Sequence, residues 1–528
     1  MTANSSLPLL PLPNGRMHIY GEKLAFPSRL RVSSEKWGDI DPAYLTVFAW
    51  RAGLKITQDG PVLLRFYRNS LFPEEGYRLR VTKDRGIQIE AADERGVCWA
   101  LATLCALLEN SEVPCCDIMD APAYAHRGIL LDSARHFFPV DTVKDLIEAI
   151  SLAKLNVLHW HLTDDQGWRV ESKLFPKLHE QCAPLYYTQE ELREVTEFAR
   201  ARGVEIIPEI DLPGHVTSIL SIYPELSCSG RQLEMAPAWG IHSTILCAGK
   251  EEVFELLLPL LEEIAEIFSS PRFHLGGDEA PKSEWENCPL CWQRMEKEGL
   301  DSTEELQGWF TARMADHLRE LGKQPICWNE SLLAECLPEL APDLTVQYWA
   351  EMHKEGPTRR FWENGGPIIF SDFMNAYLDQ PHGFTSMKKV YAYEPGLPGF
   401  RPDPLDPLGP VAGMEACVWT EYIETPEQLA RMTFPRAYAM AEAAWTKPCR
   451  KDYNSFRCRL ALWLERFPGP GFTPPEDADP SLVARYKERH DWLHLQKNAP
   501  RPDGNNAGIG GMPALGYALR WLDYTLLP

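Results

Sequence analysis

The chain has 528 residues, 45% hydrophobic and 24% charged, which is ordinary for a soluble globular enzyme and long enough for a large barrel with smaller parts attached. Its formal net charge is -22, with no compensating basic run, which argues against a nucleic-acid or anionic-membrane partner, because phosphates would be repelled. No apolar run approaches the length of a membrane span.

The N-terminus has no cationic start, and its apolar patch at 7–13 is short and broken by prolines. That is unlike a signal peptide, so the chain reads as cytoplasmic, or as periplasmic or secreted had a leader been removed. Short stretches at 29–32, 62–66, 77–81 and 86–89 alternate apolar and polar residues, as half-buried strands do. A helix over 95–108 carries Val97, Ala100, Leu101, Leu104 and Leu108 on one face. Residues 1–122 are therefore expected to form a small α+β domain.

From 123 the pattern changes to strand and helix in alternation. Strands are expected at 128–131, 156–162, 204–210, 272–276, 324–328, 344–349, 367–371 and 413–419. Helices are expected between them at 141–155, 188–202, 251–269 and 302–321, with a last one over 425–445. Thr188 to Glu191 has the form of a capping box, and Gly203 is a stop signal. Eight strands in β-then-α order imply parallel pairing, so the fold class is α/β with a closed (β/α)8 TIM barrel over 123–465. Residues 466–528 read as a Pro/Gly-rich linker and a helical C-terminal extension. It would hold a charged helix near 481–496, a glycine-rich stretch at 498–511 and an apolar end at 517–527. The extension is expected to pack on the barrel or on a second subunit of a homodimer.

Fourteen cysteines are scattered along the chain, with one C-x-x-C, Cys288 to Cys291. It lacks a second pair nearby in sequence, which weighs against zinc, and most cysteines read as reduced packing residues. No metal and no cofactor is expected. Aromatics are numerous, with 17 Trp, 18 Tyr and 21 Phe. Trp stacks well on the apolar faces of sugar rings, although large cores use it too.

Catalysis in such barrels sits at the C-terminal ends of the strands. Chemically useful side chains follow nearly every expected strand: Asp132 and Arg135, Asp164 and Asp165, Asp211 and His215, Asp278 and Glu279, Trp328 with Glu330, Trp349, Tyr377 with Asp379, and Trp419 with Glu421. The HLGGDE segment at 274–279 places two adjacent carboxylates at a strand tip, after two glycines that allow a sharp bend. Two-carboxylate glycosidases hold their acid and nucleophile on opposite sides of the scissile bond. Adjacent residues fit that poorly, because successive side chains along a strand point in opposite directions. The pair suits a substrate that supplies its own nucleophile. Glu279 would then protonate the leaving oxygen while Asp278 polarises the attacking group.

RGILLDSARHF (127–137), HWHLTDDQGW (159–168), DLPGH (211–215), HLGGDE (274–279) and WTE (419–421) together resemble glycoside hydrolase family 20, the β-N-acetylhexosaminidases. The likeness covers about 124–465, and the helix at 96–104 resembles part of the family's accessory domain. It implies an exo-acting, retaining enzyme that removes terminal β-linked N-acetylglucosamine or N-acetylgalactosamine from a glycan through an oxazolinium intermediate. By this resemblance Glu279 is the acid/base, Asp278 binds the acetamido N–H, and Tyr377 bonds the acetamido oxygen. Trp328, Trp349 and Trp419 wall the acetamido pocket. Arg127 holds the 3- and 4-hydroxyls, and Asp379 and Glu421 partner the 4- and 6-hydroxyls. Asp164 and His215 form a chain to Glu279, with Asp211 orienting His215.

Asn329 stands where many members have Asp, and no Trp follows strand seven, a place Tyr391 and Tyr393 are candidates to fill. Three other readings remain. One is a lacto-N-biosidase-like enzyme releasing a disaccharide, and another a non-catalytic amino-sugar binding protein. The third is a metal hydrolase using His159, His161, Asp164 and Asp165.

Overall fold

The computed structural model describes residues 7–38, 40–182, 185–236, 240, 242–334, 337–350, 356–397, 410–469 and 472–497. The stretches 498–511 and 517–527 lie outside them.

The first domain is a seven-stranded mixed sheet in the order Met17–Ala25, Glu112–Asp120, Tyr77–Thr82, Gly86–Ala91, Val62–Arg68, Arg29–Lys36, Lys55–Ile56. The four strands read from alternation are present. Strand Tyr77–Thr82 buries Tyr77, Leu79 and Val81 and leaves the residues between them half-buried. Alternation missed the edge strand Met17–Ala25, nearly all of whose residues are at least partly exposed, so no burial pattern marks it. Helix Glu94–Leu107 is buried on every side from Gly96 onward, because it lies between the sheet and the base of the barrel.

The eight expected barrel strands are all present: His126–Asp132, Val157–His161, Glu205–Glu209, Arg272–His274, Gln324–Trp328, Thr345–Tyr348, Ile368–Phe370 and Val411–Val418. All pair in parallel, and the eighth closes on the first, Gly413 against His126. Helix Gln189–Arg200 shows how the outer ring is written in sequence. Leu192, Val195, Thr196 and Ala199 face inward at helical spacing, and Thr188 and Glu191 form the capping box. The helix expected over 425–445 is two, Pro426–Thr433 and Arg436–Trp445, separated at Pro435, which has no N–H to continue the ladder. Helix Leu482–Lys497 docks on the barrel. Glu488 accepts from the Gly383 amide at 2.6 Å, and Trp492 packs 5.8 Å from Phe384.

A buried polar network joins the first domain to the barrel base. Glu75 accepts from Trp99 Nε1 at 2.8 Å, from Asn156 Nδ2 at 2.9 Å and from the Arg127 guanidinium. Lys154 donates to Asp120 at 2.9 Å and to the Tyr77 hydroxyl at 2.8 Å. Every one of these groups has a partner, which is what makes their burial tolerable.

Candidate active site

The fourth barrel strand ends at His274, and the chain then turns sharply. Gly276 and Gly277 have φ of 65° and 102°. A Cβ on Gly276 would sit 1.8 Å from Asp211 Oδ1, and one on Gly277 2.3 Å from Ser331 Oγ. Only glycine fits either place. Asp211 Oδ1 also accepts the Gly277 amide at 2.9 Å, so the third strand's loop pins the turn. The turn delivers Asp278 and Glu279 to the barrel mouth, Glu279 itself at φ 45°.

The two carboxylates meet different surroundings. Asp278 is partly exposed as a residue, but its Oδ1 is buried with no hydrogen-bonding partner among the described residues. Burial raises its pKa to about 6, with Glu279 adding to the rise and His215 opposing it. Glu279 lies at the end of a relay. Its Oε2 is 3.7 Å from His215 Nε2, and His215 Nδ1 is 3.3 Å from Asp164 and 3.4 Å from Asp165. Burial disfavours charge on His215, but Asp164, Asp165 and Glu279 outweigh it and raise its pKa well above the usual value. Glu330 accepts the Glu279 amide at 2.9 Å, and burial together with Asp278 and Glu279 raises its pKa to about 8.

The relay continues into the barrel. Asp164 meets His161 Nε2 at 3.0 Å, and Glu209 takes contacts from His161, from His159 at 3.2 Å and from His274 at 3.2 Å. His159 reaches Glu415 at 2.8 Å, and Glu415 reaches His126 at 2.8 Å. Burial works against charge on His159, yet Glu415 and Glu209 raise its pKa to about 9. Burial prevails at His274 and lowers its pKa to about 4. His159 is thus paired with the interior carboxylates Glu209 and Glu415, while His161 bridges Glu209 and Asp164, so the two histidines do not face one common site with Asp164 and Asp165.

Aromatic rings face the carboxylates. Trp328, Trp349, Phe373, Tyr377 and Phe384 form a cluster separate from the main core, with Trp419 packed against it. Trp419 lies 6.0 Å from Trp328 and 6.4 Å from Tyr377, and Trp349 lies 6.4 Å from Tyr377. Trp328 is oriented by donating to Glu209 at 2.8 Å. Burial raises the Tyr377 pKa well above 10, which keeps the phenol a donor. Asp379 Oδ1 is buried without a hydrogen-bonding partner among the described residues, and burial and Glu421 raise its pKa.

Four sequence readings need correction. Arg127 is not at the mouth. It is the second residue of its strand, at the N-terminal end of the barrel, fully buried and bonded to Glu75 and to the carbonyls of Tyr124, Ala125 and Lys154. Arg135, beyond the C-terminal end of the same strand, occupies the site. Its guanidinium is 2.7 Å from Asp164 and lies over the Trp419 ring at 5.2 Å. Parallel-strand polarity alone distinguishes the two arginines. Asp211 bonds the Gly277 amide, and His215 is oriented by Asp164 and Asp165. Tyr391 packs on Tyr453 and Phe456, and Tyr393 meets the Asp372 amide, so neither is placed to cover the leaving-group side. Finally, Cys288 and Cys291 do have a second pair, brought from far away in sequence: Cys228 and Cys247. Glu330 stands after the fifth strand as expected, but its bond to the Glu279 amide was not foreseen from sequence.

Residues 124–448 match the model of the glycosyl hydrolase family 20 catalytic domain. The chain belongs to glycosyl hydrolase family 20. Residues 9–121 match that family's domain 2. A β-hexosaminidase of Porphyromonas gingivalis is 36% identical over 419 residues, 73% of this chain and 53% of that protein. The chain thus spans about half the length of that relative. A β-hexosaminidase of Akkermansia muciniphila is 31% identical over 73% of this chain and 82% of its own length. The exo β-N-acetylglucosaminidase of Vibrio harveyi, solved in complex with N-acetylglucosamine, superposes with a TM-score of 0.78 at 30% identity, covering 89% of this chain and 78% of its own. Family membership fits a barrel whose mouth carries carboxylates and tryptophans. No described helix is long and apolar enough to cross a membrane.

Proposed function

We propose that this chain is an exo-acting, retaining β-N-acetylhexosaminidase whose substrate supplies the nucleophile. The observation that carries the reading is the division of the Asp278–Glu279 pair. One carboxylate is sequestered with a free oxygen, and the other ends the Asp164–His215 relay. Asp278 accepts the acetamido N–H and Tyr377 donates to the acetamido oxygen, which aligns that oxygen with the anomeric carbon. The oxygen attacks, the glycosidic C–O bond breaks, and the leaving oxygen takes the Glu279 proton. The Glu279 carboxylate then takes a proton from water. That water opens the oxazolinium ion and restores the acetamide with retained configuration. His215, held by Asp164, supports Glu279 as it changes charge. Trp328, Trp349 and Trp419 enclose the acetamido group. Arg135, Asp379 and Glu421 are the polar groups available to the 3-, 4- and 6-hydroxyls, and they favour a one-sugar site.

The test is hydrolysis of p-nitrophenyl glycosides. The N-acetylglucosaminide should be cleaved and the plain glucoside, which lacks the acetamido nucleophile, should not. Equal rates on both overturn the reading. Release of intact disaccharide from a galactose-capped substrate would favour a biosidase.

A further inference from the structure

We propose that Cys228, Cys247, Cys288 and Cys291 bind one structural zinc ion that ties the loop after the third barrel strand to the loop after the fourth. The four sulfurs all lie within 4.8 Å of one another. The closest separations are 3.7 Å for Cys247 to Cys288, 3.7 Å for Cys247 to Cys291 and 3.8 Å for Cys228 to Cys291. A disulfide would bring two sulfurs to about 2.05 Å. Four thiolates at about 2.3 Å from a tetrahedral zinc stand about 3.8 Å apart, the tetrahedron edge being roughly 1.63 times the bond length. An iron–sulfur cluster needs room between its cysteines for several irons and sulfides, and these sulfurs leave none.

The backbone around the sulfurs is shaped for the purpose. Cys288 is the N-cap of helix Pro289–Glu298 and Cys291 sits in its first turn, so the positive end of a ten-residue helix faces the thiolates. Cys247 begins a turn in which Lys250 N bonds its carbonyl at 3.2 Å. A Cβ on Gly249 would lie 2.3 Å from the Leu290 carbonyl carbon, so the two turns meet at a distance only glycine allows. Lys250 Nζ is held against the Glu225 and Ser227 carbonyls at 2.6 Å each, placing a cation beside a site that would carry net negative charge. Cys247, Cys288 and Cys291 are buried and Cys228 is half-buried, which suits a closed structural site with four protein ligands and no open position for substrate.

The location gives the ion a consequence. Cys228 and Cys247 share their segment with His215, and Cys288 and Cys291 follow Asp278 and Glu279. A zinc here joins residues 41 to 63 positions apart in sequence and fixes the base of both loops that carry the relay. Binding releases the thiol protons to solvent, so it weakens as pH falls.

The full chain, purified with a non-thiol reductant and without chelator, is assayed by inductively coupled plasma mass spectrometry and by zinc-edge X-ray absorption. The expected result is about one zinc per chain with four sulfurs at about 2.3 Å. A mercurial thiol reagent should release that zinc, and the chain should then melt at lower temperature. Cys228→Ala and Cys288→Ala should lose the metal, whereas Cys449→Ser and Cys458→Ser, at exposed cysteines, should keep it. If the site variants do not fold, the metal content and sulfur shell of the native chain still decide. Zinc-free chain after dialysis against zinc, a shell of nitrogen or oxygen, iron in place of zinc, or a mass showing two disulfides would each overturn the proposal.

Discussion

Arg127→Met separates a structural arginine from a sugar-binding one. The guanidinium is fully buried, and its loss leaves the Glu75 carboxylate beneath the barrel without its closest charge partner. Stranding a buried ion in this way costs about 3–5 kcal/mol. Unfolding entropy of about 2.1 cal/mol/K per residue, over a cooperative unit of about 450 residues, is close to 0.9 kcal/mol/K. The melting temperature should therefore fall by about 3–5 °C, while kcat/KM at a temperature where the variant is folded stays within about threefold of the parent. Arg135→Met should do the opposite to activity. Losing charged hydrogen bonds to substrate hydroxyls costs about 3 kcal/mol, or roughly 100-fold in kcat/KM. Scanning calorimetry and p-nitrophenyl glycoside kinetics on the two variants decide the matter. An Arg127→Met protein with unchanged melting temperature and a 100-fold loss, by the arithmetic just given, would refute it.

Glu279→Gln should slow substrates with poor leaving groups most, whereas Asp278→Asn should slow formation of the intermediate whatever the leaving group. Parallel plots of log kcat/KM against leaving-group pKa for both variants would sink the division of roles. Asp278 must be ionised to accept the acetamido N–H, and its pKa is raised to about 6, so kcat/KM should fall as pH drops through 6, a limb that Asp278→Asn lacks. Stability has its own acid limb. Burial disfavours the Glu205 carboxylate, but Arg272 lowers its pKa to about 2, against an unfolded value of 4.5. That contribution is present above pH 4.5 and is lost as pH falls toward 2, so Arg272→Met should flatten the fall in melting temperature across this window. Gly276→Ala puts a Cβ 1.8 Å from Asp211 Oδ1 at positive φ and should abolish activity in whatever protein folds. Near-parental turnover would mean the turn is not held as described.

The sequence by itself determined the barrel and most of the side chains at its C-terminal mouth. Repeated strand–helix order leaves little choice but parallel closure, and that closure places every strand's C-terminal end at one mouth. Hence position alone brings Asp278, Glu279, His215, Tyr377 and the three tryptophans to that mouth. The first domain was legible where one face is buried, as in Tyr77–Thr82, and illegible at the largely exposed edge Met17–Ala25. Side-chain partners were decided only in three dimensions. Arg127 and Arg135 are the same residue type eight apart in one motif, but one end of the strand faces Glu75 and the other faces Asp164. Asp211 reads as a partner for His215 until the Gly277 amide is seen to occupy it. Cys288 and Cys291 show in sequence as a C-x-x-C, but nothing marks Cys228 and Cys247 as their partners, because that meeting is set by the approach of two loops, and spacing along the chain does not record which loops approach.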